Sequence, residues 1–281
     1  MKLFLTILAV IISLLILTTV LSLVFLKWIR VVNVTIYEKK ILNNHKLVLL
    51  SDLHNFQYGE NNQKLIQLIS KQNPEYILIA GDLLVDGNPD LNIVRDFLSK
   101  ISELNCTIIY TSGNHEIKYK NKFPELWNEY LTFLKNQGVI FLDDSSYETE
   151  DIYFSGYTNK TEHFRKFRKL YPLTVEEMRE ELPLYDGDKC NFLIAHHPDF
   201  FPVYCEWGAD RVVSGHLHGG IVRLPFVGGL LTPQTFFGPK YDFGTYYRDN
   251  KSITVTAGLG VHTIPLRLFN RPDITVINLT K

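Results

Sequence analysis

The sequence predicts an α/β protein, a layered sandwich with mixed sheets, joined to an N-terminal transmembrane helix. Three observations lead there. Residues 3–26 carry no charge at all. From residue 31 to about residue 142, short aliphatic runs alternate with amphipathic helical stretches, the signature of strands buried on both faces. Beyond residue 150 the strands follow one another with few helices between them. That change of character fits a layered sandwich better than a doubly wound sheet or a (β/α)₈ barrel.

The uncharged run, LFLTILAVIISLLILTTVLSLVFL, would be about 36 Å long as a helix, enough to cross a hydrocarbon core of roughly 30 Å. It ends at Lys27-Trp28-Ile29-Arg30, an interfacial aromatic among basic residues. A cleaved signal peptide would have a shorter apolar region of about 7–15 residues ending in small side chains. An uncleaved single-span anchor over residues 1–30 is therefore expected, placing the protein in the cell membrane. Lys27, Arg30, Lys39, Lys40 and Lys46 lie beyond the run, but large domains cross membranes regardless of such bias, so the side stays open. Residues 31–281 contain no repeat or Pro/Gly-rich linker and are enough for one α/β domain.

In that domain, 31–38 and 46–51 read as strands from their β-branched and aliphatic content. A helix over 61–72 follows, with Leu65, Ile66, Leu68 and Ile69 apolar. Next come a strand at 76–80, a helix at 90–104, a strand at 106–111, a helix at 124–137 and a strand at 139–142. This is a βαβαβ series. Strands at 152–157, 191–196, 211–216, 252–257 and 273–279 make up the second half, and 160–182 is helical or irregular.

Composition removes several functions. Hydrophobic residues make up 46% of the chain and the formal net charge is −1, which excludes both disorder and a protein that binds nucleic acid through a global basic field. Cys106, Cys190 and Cys205 form no CxxC, so neither a disulfide framework nor a thiolate zinc site is expected.

What remains is a set of polar clusters at strand ends. LVLLS runs into Asp52-Leu53-His54, YILIA into Gly81-Asp82, and TIIYTS into Gly113-Asn114-His115-Glu116. NFLIA runs into His196-His197-Pro198, and RVVS into Gly215-His216-Leu217-His218-Gly219-Gly220. Alone, each could be a turn or a helix cap. Together they would meet in one crevice outside the carboxyl ends of the strands. In an extended segment Asp52 and His54 would share a side, as would His216 and His218. Oxygen and imidazole donors without thiolate suit Mn, Fe, Zn, Ni or Co. Two divalent ions against Asp52 and Asp82 would leave positive charge to attract a phosphate.

The ordered set DLH, GD, GNHE, HHP and GHLHGG resembles the calcineurin-like metallophosphoesterase superfamily, and more narrowly its bacterial membrane-associated YaeI/YkuE-like branch. The resemblance runs from about residue 45 to the C-terminus and implies an α/β/β/α sandwich of two mixed sheets. It implies that Asp52, His54 and His218 bind one divalent metal ion, that Asp82 bridges, and that Asn114, His196 and His216 bind a second. His196 is preferred to His197 because the first His of H-x-P is the usual ligand. His115 would lie near the scissile phosphate as general acid or transition-state stabiliser. A metal-bridging hydroxide is then expected to attack phosphorus in line.

The superfamily often places an Asp three residues after the bridging Asp. Here Asp86 is four residues on, which puts a supporting role for it in doubt. Glu116 could orient His115 or stand exposed at a helix start. Arg223 could meet substrate phosphate, or be salt-bridged. FRKFRK (164–169) could touch lipid head groups or form a surface helix with solvated charges, and His262 could approach the site, while His45 and His163 have no functional context. Residues 223–246 and 258–274 also resemble the branch and imply a loop over the site. The expected substrate is a phosphodiester or a lipid-linked pyrophosphate, and the rival reading is a non-catalytic, metal-stabilised scaffold at the membrane.

Overall fold

The computed structural model describes residues 2–164, 171–220, 222–224, 226–230, 232, 238–261 and 266–281. The first half contains helix α1 (Lys2–Lys27), strands β1 (Arg30–Tyr37) and β2 (His45–Leu50), helix α2 (Gln63–Ser70) and strand β3 (Tyr76–Ala80). Helix α3 (Asn92–Ser102), strand β4 (Thr107–Thr111), helices α4 (Asn114–Lys122) and α5 (Pro124–Asn136) and strand β5 (Ile140–Leu142) complete it. The second half begins with β6 (Ser145–Glu148), β7 (Ile152–Tyr157), α6 (Val175–Glu181), β8 (Cys190–Ala195), α7 (Phe201–Trp207) and β9 (Arg211–Ser214). It ends with β10 (Arg223–Leu224), β11 (Gly228–Gly229), β12 (Gly244–Arg248), β13 (Lys251–Val255) and β14 (Asp273–Thr280).

Two six-stranded mixed sheets result, in the orders β1-β14-β2-β3-β4-β5 and β12-β13-β9-β8-β7-β6. In the first, β2 to β5 are parallel and β14 is antiparallel to β2. In the second, β13, β9, β8 and β7 are parallel, with antiparallel β12 and β6 at the edges. Strand alternation distributes the side chains. Leu47, Leu49, Leu78 and Ile109 pack with Phe154, Phe192, Ile194 and Val213 between the sheets. Val48, Leu50, Ile77 and Ile79 face the other way, onto the Leu65, Val94, Phe97 and Trp127 side of the helices. On the far face of the second sheet, Leu193, Val212 and Ile253 meet Met178, Phe201 and Tyr204 of α6 and α7. This is the α/β/β/α order. Each such fully buried aliphatic side chain contributes about 1.5–3 kcal/mol.

Helix formation follows the local sequence. Helix α3 buries Val94, Phe97, Leu98 and Ile101, a stripe at helical spacing. Pro124 opens α5, where its missing N–H costs nothing. Thr174 Oγ1 caps α6 by accepting from Glu177 N at 3.1 Å. Two helices escape the sequence pattern: α4 begins directly at Asn114, and α7 is a seven-residue helix between two strands.

Helix α1 is long and apolar enough to cross a membrane. It is exposed from Leu3 to Leu17, and its last turns are partly covered, with Ser22 and Leu26 buried near the end that joins the domain. Strand β1 then runs parallel to β14, Arg30 opposite Asp273, so the end of α1 lies beside the segment that leads into β14.

Candidate metal centre

The five polar clusters lie at the carboxyl ends of β2, β3, β4, β8 and β9, so both sheets contribute to one buried group. Three overlapping sets of side chains converge there: Asp52, His54 and His218; His54, Asp82 and His115; and Asp82, His196 and His216. The pleat is not what brings them together. Asp52, His54, Asp82, His216 and His218 all have positive φ, between 49° and 69°, so the extended-segment geometry expected from the sequence does not hold. Left-handed turns immediately after the strands aim these side chains inward. For non-glycine residues such backbone costs of order 1–3 kcal/mol each and persists only where surrounding structure enforces it. Close approach also fixes two glycines. A Cβ at Gly113 would lie 2.3 Å from Asp82 Oδ1, and one at Gly215 would lie 2.4 Å from Asp52 Oδ2.

Each carboxylate uses one oxygen on a backbone amide and turns the other into the cluster. Asp52 Oδ2 accepts from His216 N at 3.0 Å, while Oδ1 lies 3.3 Å from His218 Nε2, 3.8 Å from His54 Nε2 and 3.9 Å from His196 Nε2. Asp82 Oδ1 accepts from His115 N at 2.8 Å, while Oδ2 lies 3.1 Å from His196 Nε2 and 3.9 Å from His54 Nε2. The His54 and His218 rings stack, with their Nε2 atoms 3.2 Å apart. His196 Nδ1 donates to Ala80 O at 2.6 Å, which leaves the Nε2 lone pair facing Asp82.

The donor set fits a metal. Asp52 Oδ1, Asn114 Oδ1 and His216 Nε2 are buried with no hydrogen-bond partner. Leaving such atoms unpaired costs about 1–3 kcal/mol apiece, and a cation among them would remove that cost. The charges agree. Burial pushes the Asp52 carboxyl up to about 6, with His196 pulling it down and Asp82 pushing it up. Burial would also raise Asp82, but the His196, His115 and His54 imidazoles outweigh it and hold that carboxyl well below the usual range. Burial lowers His196, yet Asp82 and Asp52 bring it up to about 9. Burial, reinforced by His197 and His196, depresses His216 well below the ordinary imidazole value. A proton on His196 thus occupies the place between two carboxylates that a cation would take.

Of the predicted residues, Arg223 does not join the cluster. Its Nη1 binds Asp242 Oδ2 at 2.6 Å and Gly219 O at 3.1 Å, the salt-bridged alternative. His197 is in none of the converging sets, although its ring lies 4.9 Å from that of His216: its Nδ1 accepts from Asp199 N at 3.3 Å and its ring also packs on Phe200. His45 is buried between Glu75 and Asp151. Residues 165–169 of FRKFRK and His262 lie outside the described residues.

Support around the cluster comes from residues the sequence left open and from residues it did not single out. Glu116 is not exposed. It is fully buried and accepts from Asp82 N and Gly113 N at 2.8 Å, Leu83 N at 2.9 Å and Tyr110 Oη at 2.7 Å. Burial, with Asp82 adding to it, pushes this carboxyl up to about 7 against those donors. Asp86 does take a supporting place despite its spacing: His115 Nδ1 lies 3.2 Å from both Asp86 N and Asp86 Oδ1. Finally, buried Arg267 donates to Ala257 O, Gly258 O and Gly260 O and lies 3.4 Å from His218 Nδ1, while Asn270 Nδ2 donates to His218 O and Gly220 O. Arg267 and Asn270 thus brace the GHLHGG turn.

Comparison with known proteins points one way. The calcineurin-like phosphoesterase family model matches residues 45–220. A Campylobacter jejuni metallophosphoesterase, Cj0846, is 28% identical over 241 residues, covering 83% of this chain and 59% of its own. The chain thus spans less than two thirds of that relative. The Bacillus subtilis metallophosphoesterase YkuE is 27% identical over 248 residues, 83% of this chain and 78% of its own. Escherichia coli phosphodiesterase YaeI is 27% identical over 240 residues, 83% of this chain and 82% of its own.

Proposed function

This chain belongs to the calcineurin-like phosphoesterase family, in its bacterial YaeI/YkuE-like branch, and from that premise we propose a membrane-anchored enzyme that cleaves phosphodiester or lipid-linked pyrophosphate bonds with two divalent metal ions. It is a phosphoric ester hydrolase. The observation that carries the metal reading is the division of labour within Asp52 and Asp82, one oxygen on an amide and the other aimed at buried imidazole nitrogens.

In the proposed assignment Asp52, His54 and His218 hold one ion, Asn114, His196 and His216 hold the other, and Asp82 lies between them. When bound, the ions would neutralise charge on the phosphoryl oxygens and lower the pKa of water so that it attacks at neutral pH. The protein's own groups do the rest. Ala80 O holds the Nδ1 proton of His196, so Nε2 is the nitrogen aimed at the centre. His115 hands a proton to the leaving oxygen from Nε2. As an imidazolium His115 can give up the Nε2 proton and keep the other on Nδ1, where the Asp86 carboxylate accepts it at 3.2 Å. Glu116 holds the Asp82 turn in place through the amides of residues 82 and 83.

Phosphodiester cleavage is supported by the relative named a phosphodiesterase, and anchoring in the cell membrane by the exposed apolar helix α1. Residues 31–281 form the proposed catalytic domain. Hydrolysis of bis(p-nitrophenyl) phosphate by the detergent-purified full chain with added Mn²⁺ tests the reading. Turnover is expected with wild type and lost in Asp82→Ala and His218→Ala. Unchanged rates in those variants would sink the assignment.

A further inference from the structure

Where α1 meets the domain, a second polar cavity of about 600 Å³ opens, apart from the metal ligands. Three cations line it, Arg30, Arg223 and Lys240, against one carboxylate, Asp242. That carboxylate is already engaged by Arg223 at 2.6 Å, by Gly229 N at 2.7 Å and by Tyr246 Oη at 2.6 Å. Arg30 is different. Its Nε and Nη2 are buried and have no hydrogen-bond partner, and its guanidinium lies 4.2 Å over the Phe243 ring. Burial lowers its pKa, and Arg223 and Arg271 push the same way, with Asp273 opposing. With Asp242 already engaged, the lining cations leave the cavity net positive, which calls for an anion.

The rim says which anion. Phe226, Val227 and Phe269 are 109%, 66% and 57% exposed, far more apolar surface than soluble loops usually show together. Phe269 also packs on Phe25 of α1, with ring centroids 6.1 Å apart. The rim therefore stands at the level of the last turn of α1, beside exposed Trp28, whose ring Arg271 covers at 3.9 Å. Aromatic and basic side chains at the end of an apolar helix mark the head-group level of a bilayer.

We infer that this cavity binds the phosphate of an anionic phospholipid of the bilayer that holds α1, with Phe226, Val227 and Phe269 inserted among the acyl chains. Arg30 and Lys240 take the phosphate oxygens, and Arg223, held by Asp242, adds charge. Arg223 also donates to Gly219 O, one residue from His218, so the bound lipid sits against the turn that carries two predicted metal ligands. This rests on the anchoring reading and not on the catalytic one.

The test uses the full chain in a neutral detergent, chelated to remove metals and titrated with dioctanoylphosphatidylglycerol or dioctanoylphosphatidylcholine, binding being read by calorimetry. The anionic lipid is expected to bind roughly tenfold tighter than the zwitterionic one, with the preference abolished in Arg30→Gln/Lys240→Gln. Lys240 is exposed, so Lys240→Gln alone cannot unfold the domain and should weaken binding several-fold. Equimolar inorganic phosphate should not displace the lipid. Equal affinity for the two lipids, an unchanged preference in the variants, or displacement by inorganic phosphate each overturns the inference. So does a preference present only in metal-loaded protein, which would put the lipid on the metals. Carbonate extraction of membranes checks the anchor separately, because release of the chain defeats anchoring without touching the lipid titration.

Discussion

Within β2, Leu47 to Leu50 are buried, laddered to β14 and β3, and packed alternately against the second sheet and the helices. Two residues later, Asp52 and His54 take φ of 54° and 49°, and Asp52 Oδ1 is buried without a hydrogen bond. The same contrast recurs between β3 and Asp82, and between β9 and His216. Strand interiors supply stability, and their carboxyl ends spend some of it to hold unpaired donors and strained backbone together. Local rules are broken where chemistry is arranged.

Substitutions can separate the two regions. The largest effect should come from Asp82→Ala, with turnover falling by well over roughly a hundredfold and bound metal lost. Leu78→Ala, inside β3, should do the reverse, costing about 2–5 kcal/mol of stability in denaturant melts with metal content retained. If both variants lost stability and activity in parallel, the division between interior and end would fail.

Glu116→Gln comes next. It removes a carboxylate oxygen from the amides behind Asp82 and should weaken metal binding by about 10–100-fold in a metal titration.

The pH dependence sharpens the comparison further. His196 has its folded value raised to about 9, so in chelated protein its contribution is full below the unfolded imidazole value and is lost as pH rises through 9. Asp52, raised to about 6, likewise withdraws stability as pH rises through 6. Depressed His216 works the other way only up to the ordinary imidazole value, so above that value the chelated protein should melt lower as pH rises towards 9. A metal ion competes with the same protons, so the melting gap between loaded and chelated samples should widen from about pH 6 to pH 9. A constant gap would argue against ligation by His196.

The smallest effect is expected at the junction. Ser22→Ala removes the acceptor for Arg267 N, at 2.7 Å, and should cost about 1 kcal/mol of stability with turnover within a few-fold of wild type.

The buried strands were legible because continuous aliphatic runs have few other ways to be buried, whereas the half-exposed edge strands β6 and β12 carry no such run and were not. The cluster was legible because its polar residues interrupt those runs in order. How the ligands converge was not. Alternation suggested a shared face for Asp52 and His54, but left-handed turns decide their direction, and although Asp and His favour positive φ more than most residues, their identity alone does not say where it occurs. Glu116 looked like a helix-start carboxylate because its value lies in bonds to amides over thirty residues away. Arg267 and Asn270 act through backbone carbonyls far along the chain, which leave no trace in side-chain pattern.

The most direct test of the two-metal account is a titration of the chelated full chain with Mn²⁺, with bound metal and phosphodiester turnover read on the same samples. Turnover is predicted to be absent without metal and to reach its plateau at two bound equivalents, with Asp82→Ala inactive throughout. Full turnover in the chelated protein, or a plateau unaffected by Asp82→Ala, would contradict it.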